Sequence, residues 1–397
     1  MKTINSCEIC NNTDLTSVLD LGSHPLCDDL VQIGSDRICK EYPIEILYCK
    51  DCNSAHQKYQ VPKEELFQPD YHYRARMTGS VLTGMSDLVE SCYKRFGDLE
   101  GKLVLDIGCN DGSLLNFFKK KGCRTVGIDP TDAAKDSIHP TIQSYFDLES
   151  AKKVLSDFGK PDIITFTNVF AHIDDLGGLL SNLSLLLKGE TKVVIENHYL
   201  GAVLDTGQFD TFYHEHPRTY SRKSFEVIAK RLGLNLLHVQ YVSRYGGNIR
   251  VFLGKGSPSD EDSKSESTFL EEFSALKEDV ELWQKDMKVI IQDYVKKYGP
   301  LRAKAFPGRA AILVKMLKLS HADISAVYEI KGSIKVGRYV PGTRIPILPE
   351  VELYQLDDQS LPILNLAWHL PGEVRANLEL NGYAGEVVDI KPMNAGS

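Results

Sequence analysis

Two close cysteine pairs, Cys7-Glu8-Ile9-Cys10 and Cys49-Lys50-Asp51-Cys52, constrain the chain more than any other feature. One turn of backbone can present two thiolates at this spacing to the same tetrahedral ion, and four sulfurs close the coordination shell against water or substrate. The pairs predict a zinc site at Cys7, Cys10, Cys49 and Cys52. It organises a small N-terminal unit rather than performing chemistry, because so short a segment builds a poor core without a metal. The alternative is a chance set of buried thiols, and Cys27 and Cys39 read as spare. All nine cysteines lie at or before Cys123, an odd number crowded into the first third, which argues against a secreted disulfide framework.

A chain of 397 residues predicts two or three domains. With 42% hydrophobic and 25% charged residues it has the make-up of a globular protein rather than a disordered one. A net charge of −8 excludes global attraction to phosphate backbones or anionic membranes, and residues 1 to 60 hold no basic cluster interleaved with aromatics, so neither nucleic acid nor membrane is an expected partner. No apolar run approaches the roughly 20 residues a membrane span requires, and Met1 to Cys7 lacks the apolar core of a signal peptide. The expected location is the cytoplasm.

Apolar residues at Val81, Leu82, Met85, Leu88 and Val89 predict a connector helix near 79 to 96. From Lys102 short apolar runs alternate with helical segments. Leu103 to Ile107, Thr125 to Ile128, Ile163 to Phe166 and Val193 to Glu196 read as strands of a mostly parallel α/β sheet. A helix over Phe225 to Leu232 and an antiparallel pair, Leu236 to Val242 with Asn248 to Gly254, would close it. The polar stretch 256 to 267 marks a boundary, followed by a long helix over Phe269 to Val295. Beyond it, a strand at Ala303 to Phe306, a helix at Ala310 to Leu319 and strands near Ala326 to Ile330 and Leu361 to Ala367 suggest a second α/β unit. The expected domains are 1–75, 76–255 and 256–397.

The strand Val104 to Ile107 runs straight into the turn Gly108-Cys109-Asn110-Asp111-Gly112 and then a helix, an arrangement that fits nucleoside binding. Gly108 and Gly112 let a ligand approach the backbone, with Asn110 between them. Asp106 and Asp111 would repel the pyrophosphate of NAD but attract a cationic sulfonium. Asp129 ends the next strand, where a ribose diol needs an acceptor. Phe146 is placed over the adenine, and Asn168 at the end of the fourth strand. S-adenosylmethionine is the expected cofactor, an NAD-type domain the alternative.

The densest polar and aromatic run, Phe209 to Tyr220, follows the strand ending Glu196-Asn197-His198. In a straight strand Tyr213 and His216 would face opposite ways, so joint action requires a bent loop. Carbon is methylated only as a carbanion. A carbon beside a ketone becomes one when a base removes its proton and a donor stabilises the enolate oxygen, roles suited to histidine and tyrosine. The alternatives are ordinary loop histidines, or His214 and His216 as two further zinc ligands. His172 follows the fourth strand and faces the same mouth of the sheet.

These pieces, with Leu21-Gly22-Ser23-His24-Pro25-Leu26 between the cysteine pairs, Asn-Val-Phe-Ala-His-Ile at 168–173, Tyr-His-Glu-His at 213–216 and Tyr245-Gly246-Gly247-Asn248-Ile249-Arg250, together resemble the sugar C-methyltransferases of deoxysugar pathways. These include enzymes that methylate C3 of a dTDP-4-keto-deoxysugar in tetronitrose biosynthesis. The resemblance covers nearly the whole chain. It implies an α/β fold in three parts: a zinc domain, a central Rossmann-like S-adenosylmethionine methyltransferase domain and a C-terminal Rossmann-like α/β domain, with substrate between the outer two. It implies His216 as the base alpha to the ketone, with Tyr213, Glu215 and His172 around the reacting carbons and Tyr71 closing the pocket. The partner it implies is a nucleotide-linked keto-sugar, and the expected assembly is a monomer or weak homodimer. The chain departs from the family at Phe306-Pro307-Gly308-Arg309-Ala310-Ala311, where a Lys-containing turn is usual, and at Trp368-His369, where Trp-Asn is usual. Arg309 beside a helix start near Ala310 could hold a diphosphate, with Lys335, Arg338 and Arg344 adding charge. The rival readings are O- or N-methylation and a non-catalytic sugar-nucleotide-binding protein on the same scaffold.

Overall fold

A computed structural model describes residues 1–66, 74–77, 79–258 and 264–391. Tyr71 lies outside the described residues. The strand Leu103–Ile107 is buried along its whole length, as an apolar run must be when helices cover both faces of a parallel sheet. It is an interior strand of a seven-stranded sheet whose spatial order is Asn235–Val242, Asn248–Gly254, Lys192–His198, Ile163–Thr167, Leu103–Ile107, Arg124–Ile128 and Thr141–Ile142. The last five are mutually parallel. Asn248–Gly254 inserts antiparallel between Lys192–His198 and Asn235–Val242, so the earlier strand of the pair forms the edge. The connector helix Gly79–Phe96 has the expected bounds. It packs Leu88, Val89 and Cys92 with Leu114, Leu115 and Phe118, the latter three from the helix Ser113–Lys120.

A second sheet holds Thr16–Pro25, Glu41–Cys49, which ends on a cysteine of the second pair, and Ser54–Gln57, and its fourth strand is Arg218–Thr219 from the central unit. The third sheet is built on the parallel strands Leu301–Lys304, Ile324–Glu329, Pro346–Pro349, Ile363–Asn365 and Val387–Asp389, edged by Arg338–Tyr339. Val31–Gln32 from the N-terminal segment adds the outermost strand. Two strands thus cross between the three units, which local hydrophobic pattern does not signal.

The helix Phe269–Tyr298 buries Phe269, Phe273, Leu276, Val280, Met287 and Ile291, the spacing of a single apolar stripe. It packs on Thr16–Pro25 at one end and Leu301–Lys304 at the other. Phe212 stacks on Phe273 at 6.0 Å, so this helix supports the loop that carries the histidines. The C-terminal elements shift from their expected bounds for local reasons. Ala305, at φ 62°, ends the strand at Lys304, and Lys318, at φ 58°, lies just past a helix that spans Ala310–Met316. Among the described residues no helix is long and apolar enough to cross a membrane.

Candidate active site

A cavity of about 230 Å³ opens at the carboxyl ends of the parallel strands, where open α/β sheets bind ligands. Its wall includes Gly108, Asn110, Asp129, Phe146, Asn168 and His172. Gly108 has φ 75°, and a Cβ there would sit 2.3 Å from Val169 Cγ2, so this position requires glycine. Asn110 N donates to Asp129 Oδ2 at 2.9 Å, while Thr131 N and Oγ1 donate to Oδ1 at 2.8 and 2.6 Å. Three of the roughly four lone-pair sites of this carboxylate are therefore used, and a hydroxyl of a bound nucleoside can take the remaining one.

Two residues predicted on this wall stand behind it. Asp106 accepts from Thr165 Oγ1 at 2.7 Å beneath the turn, and burial pushes its carboxyl up to about 7. Gly112 caps the helix Ser113–Lys120 at φ 75°, where a Cβ would meet Ser137 Oγ at 2.6 Å. Sequence reasoning missed Met85, Tyr145 and Arg244 on the wall. Arg244 is placed by Glu196, which also holds Arg250 at 2.7 Å, and it occupies the space above Gly84, where a Cβ would lie 1.8 Å from its Nη1. A glycine inside the helix Gly79–Phe96 was the available signal.

The loop after the strand Lys192–His198 is bent, as joint action requires. A turn in which His216 N donates to Tyr213 O at 2.9 Å brings the two rings to a centroid separation of 4.3 Å. His172 lies 4.7 Å and His198 5.3 Å from the His216 ring. His216 Nδ1 lies 3.0 Å from Thr211 O, a carbonyl that can only accept, so the proton is on Nδ1 and the lone pair on Nε2. Burial, reinforced by His172 and His198, holds its pKa well below the usual histidine value. His172 Nδ1 likewise donates to Glu215 O at 2.9 Å, and burial lowers its pKa to about 4. His172 thus belongs both to the cavity wall and to the histidine cluster.

His214 turns the other way. Its Nε2 donates to Tyr42 O at 3.0 Å, its ring meets that of Tyr42 edge-on, and it is not part of the cysteine cluster. Neither loop histidine is a zinc ligand. The Glu215 carboxyl is pushed up to about 8 by burial and by Asp28, against the pull of Lys335.

From the C-terminal unit Arg309 reaches the same loop, with Nε 3.3 Å from Asp210 Oδ2, an oxygen that also accepts from Trp368 Nε1 at 2.9 Å. Its charge is therefore shared with a carboxylate, and the helix beyond it has only seven residues. Lys335 Nζ donates to Phe306 O at 2.6 Å. Arg338 lies in the strand paired with Val31–Gln32, and Arg344 binds Ser35 O and Arg37 O, so these two belong to the seam with the N-terminal unit rather than to one basic cluster with Arg309. Asp210, His198 and Lys391, whose Nζ stands 4.4 Å from the Trp368 ring centre, complete the surroundings. Nothing local to Lys391 in the sequence announces it.

The sulfurs of Cys7, Cys10, Cys49 and Cys52 all lie within 4.8 Å of one another. Cys7 and Cys52 are 3.4 Å apart, Cys10 and Cys49 3.5 Å. Zinc–sulfur bonds of about 2.3 Å in a tetrahedron put sulfurs roughly 3.8 Å apart, so the set fits a structural zinc ion. His56 Nε2 and Ser54 Oγ stand 3.3 Å from Cys7 Sγ and 3.0 Å from Cys52 Sγ, able to donate to metal-bound thiolates. Cys27 and Cys39 lie outside the cluster.

Three family models match the chain in succession: "Putative zinc binding domain" over residues 7–67, "Methyltransferase domain" over 78–239 and "C-methyltransferase C-terminal domain" over 244–388. The chain is a methyltransferase of this three-part make-up. Along nearly its whole length the methyltransferase is similar to the C-methyltransferase NovU of Streptomyces niveus, with 26% identity covering 95% of this chain and 93% of that one. It is also similar to a ubiquinone biosynthesis O-methyltransferase of Rhodopseudomonas palustris, 31% identical over 100 residues, 24% of the methyltransferase and 39% of that relative. Among solved structures, magnesium protoporphyrin IX methyltransferase from Synechocystis aligns with a TM-score of 0.36 and 15% identity, covering 47% of this chain and 90% of that one.

Proposed function

We propose that this methyltransferase transfers a methyl group from S-adenosylmethionine to the carbon alpha to the ketone of a nucleotide-linked keto-deoxysugar. The observation that carries this reading is the His216 ring, with its lone pair on Nε2, in contact with His172, a residue of the cavity wall. When bound, the cofactor supplies an electrophilic methyl on a cationic sulfur. His216 Nε2 takes the alpha proton, and the electron pair left on carbon delocalises onto the ketone oxygen, where the Tyr213 hydroxyl donates a hydrogen bond. A base held neutral by burial keeps its lone pair at neutral pH. His172 and Glu215 border the reacting carbons.

In this reading Gly108, Asn110, Asp129, Phe146 and Asn168 hold the nucleoside, and the Arg244 guanidinium suits the cofactor's carboxylate. Arg309 and Lys335 face the sugar nucleotide, with Arg338 farther out. Zinc occupies the four cysteines, and the units divide as 1–75, 76–255 and 256–397.

The test omits the cofactor. In heavy water, a panel of 4-keto sugar nucleotides should contain one whose alpha proton exchanges, and His216→Ala should abolish that exchange; exchange surviving in the variant removes His216 as the base. With cofactor added, carbon NMR of the product separates a C-methyl from an O-methyl.

A further inference from the structure

Arg218 is an unusual residue to find with a fully buried side chain. Its guanidinium makes four contacts at once. Nη1 binds the Glu8 carboxylate and reaches Asp174 O at 3.3 Å, Nη2 donates to Ile173 O, and Nε donates to Tyr220 OH at 3.1 Å. Ile173 and Asp174 directly follow His172, and Arg218 itself lies two residues after His216. One planar group therefore ties together the two segments that carry the paired histidines.

Its partner Glu8 stands between Cys7 and Cys10. The backbone carbonyls of Glu8 and Ile9 accept from Arg231 Nη1 at 2.8 and 2.9 Å, and Gln60 Nε2 donates to the Glu8 carboxylate at 2.9 Å. The grip continues along the next strand. Arg218 pairs with His56 in the sheet, Gln57 N donates to Pro217 O at 2.9 Å, and Gln57 Nε2 donates to Phe212 O and Tyr213 O at 3.1 and 3.3 Å. Ser221 Oγ closes the circle on Cys52 O at 3.1 Å.

A buried ion pair contributes little net stability once desolvation is counted. Its value here is geometric, since the guanidinium fork fixes several acceptors in one plane as no ammonium can. We infer that Arg218, seated on Glu8 of the cysteine knuckle and backed by Gln57, is a positioning residue that sets His172 and His216 against each other for proton abstraction. The metal knuckle thereby acts on the reaction through the chain, without touching substrate. This inference rests on the assignment of His216 as base.

The test compares full-length, zinc-loaded wild type with Arg218→Lys, Glu8→Gln and the milder Gln57→Ala. Four quantities are read: zinc per chain, calorimetric affinity for S-adenosylhomocysteine, ring-nitrogen NMR of 15N-labelled histidines, and kcat and KM with a dTDP-4-keto-6-deoxyhexose as probe. Misplacement by about 1 Å costs up to about 100-fold. The expected result is unchanged zinc and S-adenosylhomocysteine affinity, displaced ring signals for His172 and His216, and kcat reduced at least about tenfold with KM little altered. Ring signals that stay in place, or S-adenosylhomocysteine affinity that falls in step with kcat, would overturn it. Should the wild type be inactive on the probe, the keto-sugar reading is what fails, and the histidine spectra still decide the positioning role.

Discussion

A single carbonyl decides the chemistry available to His216. Because Thr211 O engages Nδ1, the reactive nitrogen is Nε2, and because the ring is buried beside His172 and His198 it stays neutral well below the usual histidine value. The acidic limb of kcat/KM should therefore fall clearly below pH 6.5; a pH–rate profile bending near 6.5 would assign the base to an exposed histidine instead. The same burial makes stability pH-dependent. His172 and His214 are lowered to about 4, and His198 and His369 to about 3, all with burial as the leading cause. Below pH 6.5 the unfolded chain takes up protons that the folded one refuses, so stability is complete above that pH and declines as pH falls from 6.5 toward 3. Thermal melts from pH 7.5 to 5 should show a falling Tm, and His214→Gln, whose side chain bonds Tyr42 O, should flatten the slope. Tyr213, His216 and His172 were legible because each sits in a short motif beside a strand end. The pairing of Arg309 with Asp210 was not, since it joins residues far apart in sequence whose charges cancel only in three dimensions.

At the scale of elements, the helix Gly79–Phe96 shows how a local rule yields to a site. Alanine usually favours a helix interior over glycine by about 1 kcal/mol, yet Gly84 makes room for Arg244. Gly84→Ala should displace that guanidinium from the cavity wall and weaken S-adenosylhomocysteine binding about tenfold or more, read by calorimetry; unchanged affinity would show that Arg244 contributes nothing to the cofactor. The central strands were readable because each is an apolar run bounded by turn residues, and the bend at 213–216 followed from the need to unite Tyr213 with His216. Two-residue strands such as Arg218–Thr219 and Val31–Gln32 carry no periodicity, and only their partners define them.

For the whole molecule, the crossing strands mean that neither the N-terminal nor the C-terminal unit completes its sheet alone. A chain beginning at residue 76 lacks Ser54–Gln57 and Glu8, leaving the strand Arg218–Thr219 without its sheet neighbour and the Arg218 guanidinium without its carboxylate. It should aggregate or remain unfolded by circular dichroism and gel filtration. Chelating the metal from the intact protein should lower the Tm of the entire transition rather than of an N-terminal part, in a differential scan. Three-part organisation was visible from composition and motifs, but the stitching was not, because sequence pattern reports what each segment buries and not which segment buries it.

The crossings also set a timetable for synthesis. Cys52 is made early, so the knuckle can capture its metal and present Ser54–Gln57 while most of the chain is still unmade. The strand that completes this sheet, Arg218–Thr219, follows only on the order of ten seconds later at ordinary elongation rates, and Val31–Gln32 waits longer still for Arg338–Tyr339. During that interval the edge at Ser54–Gln57 stands open and Val31–Gln32 has no strand to pair with. The metal-held domain is thus a scaffold erected first, onto which the histidine loop is hung as it emerges.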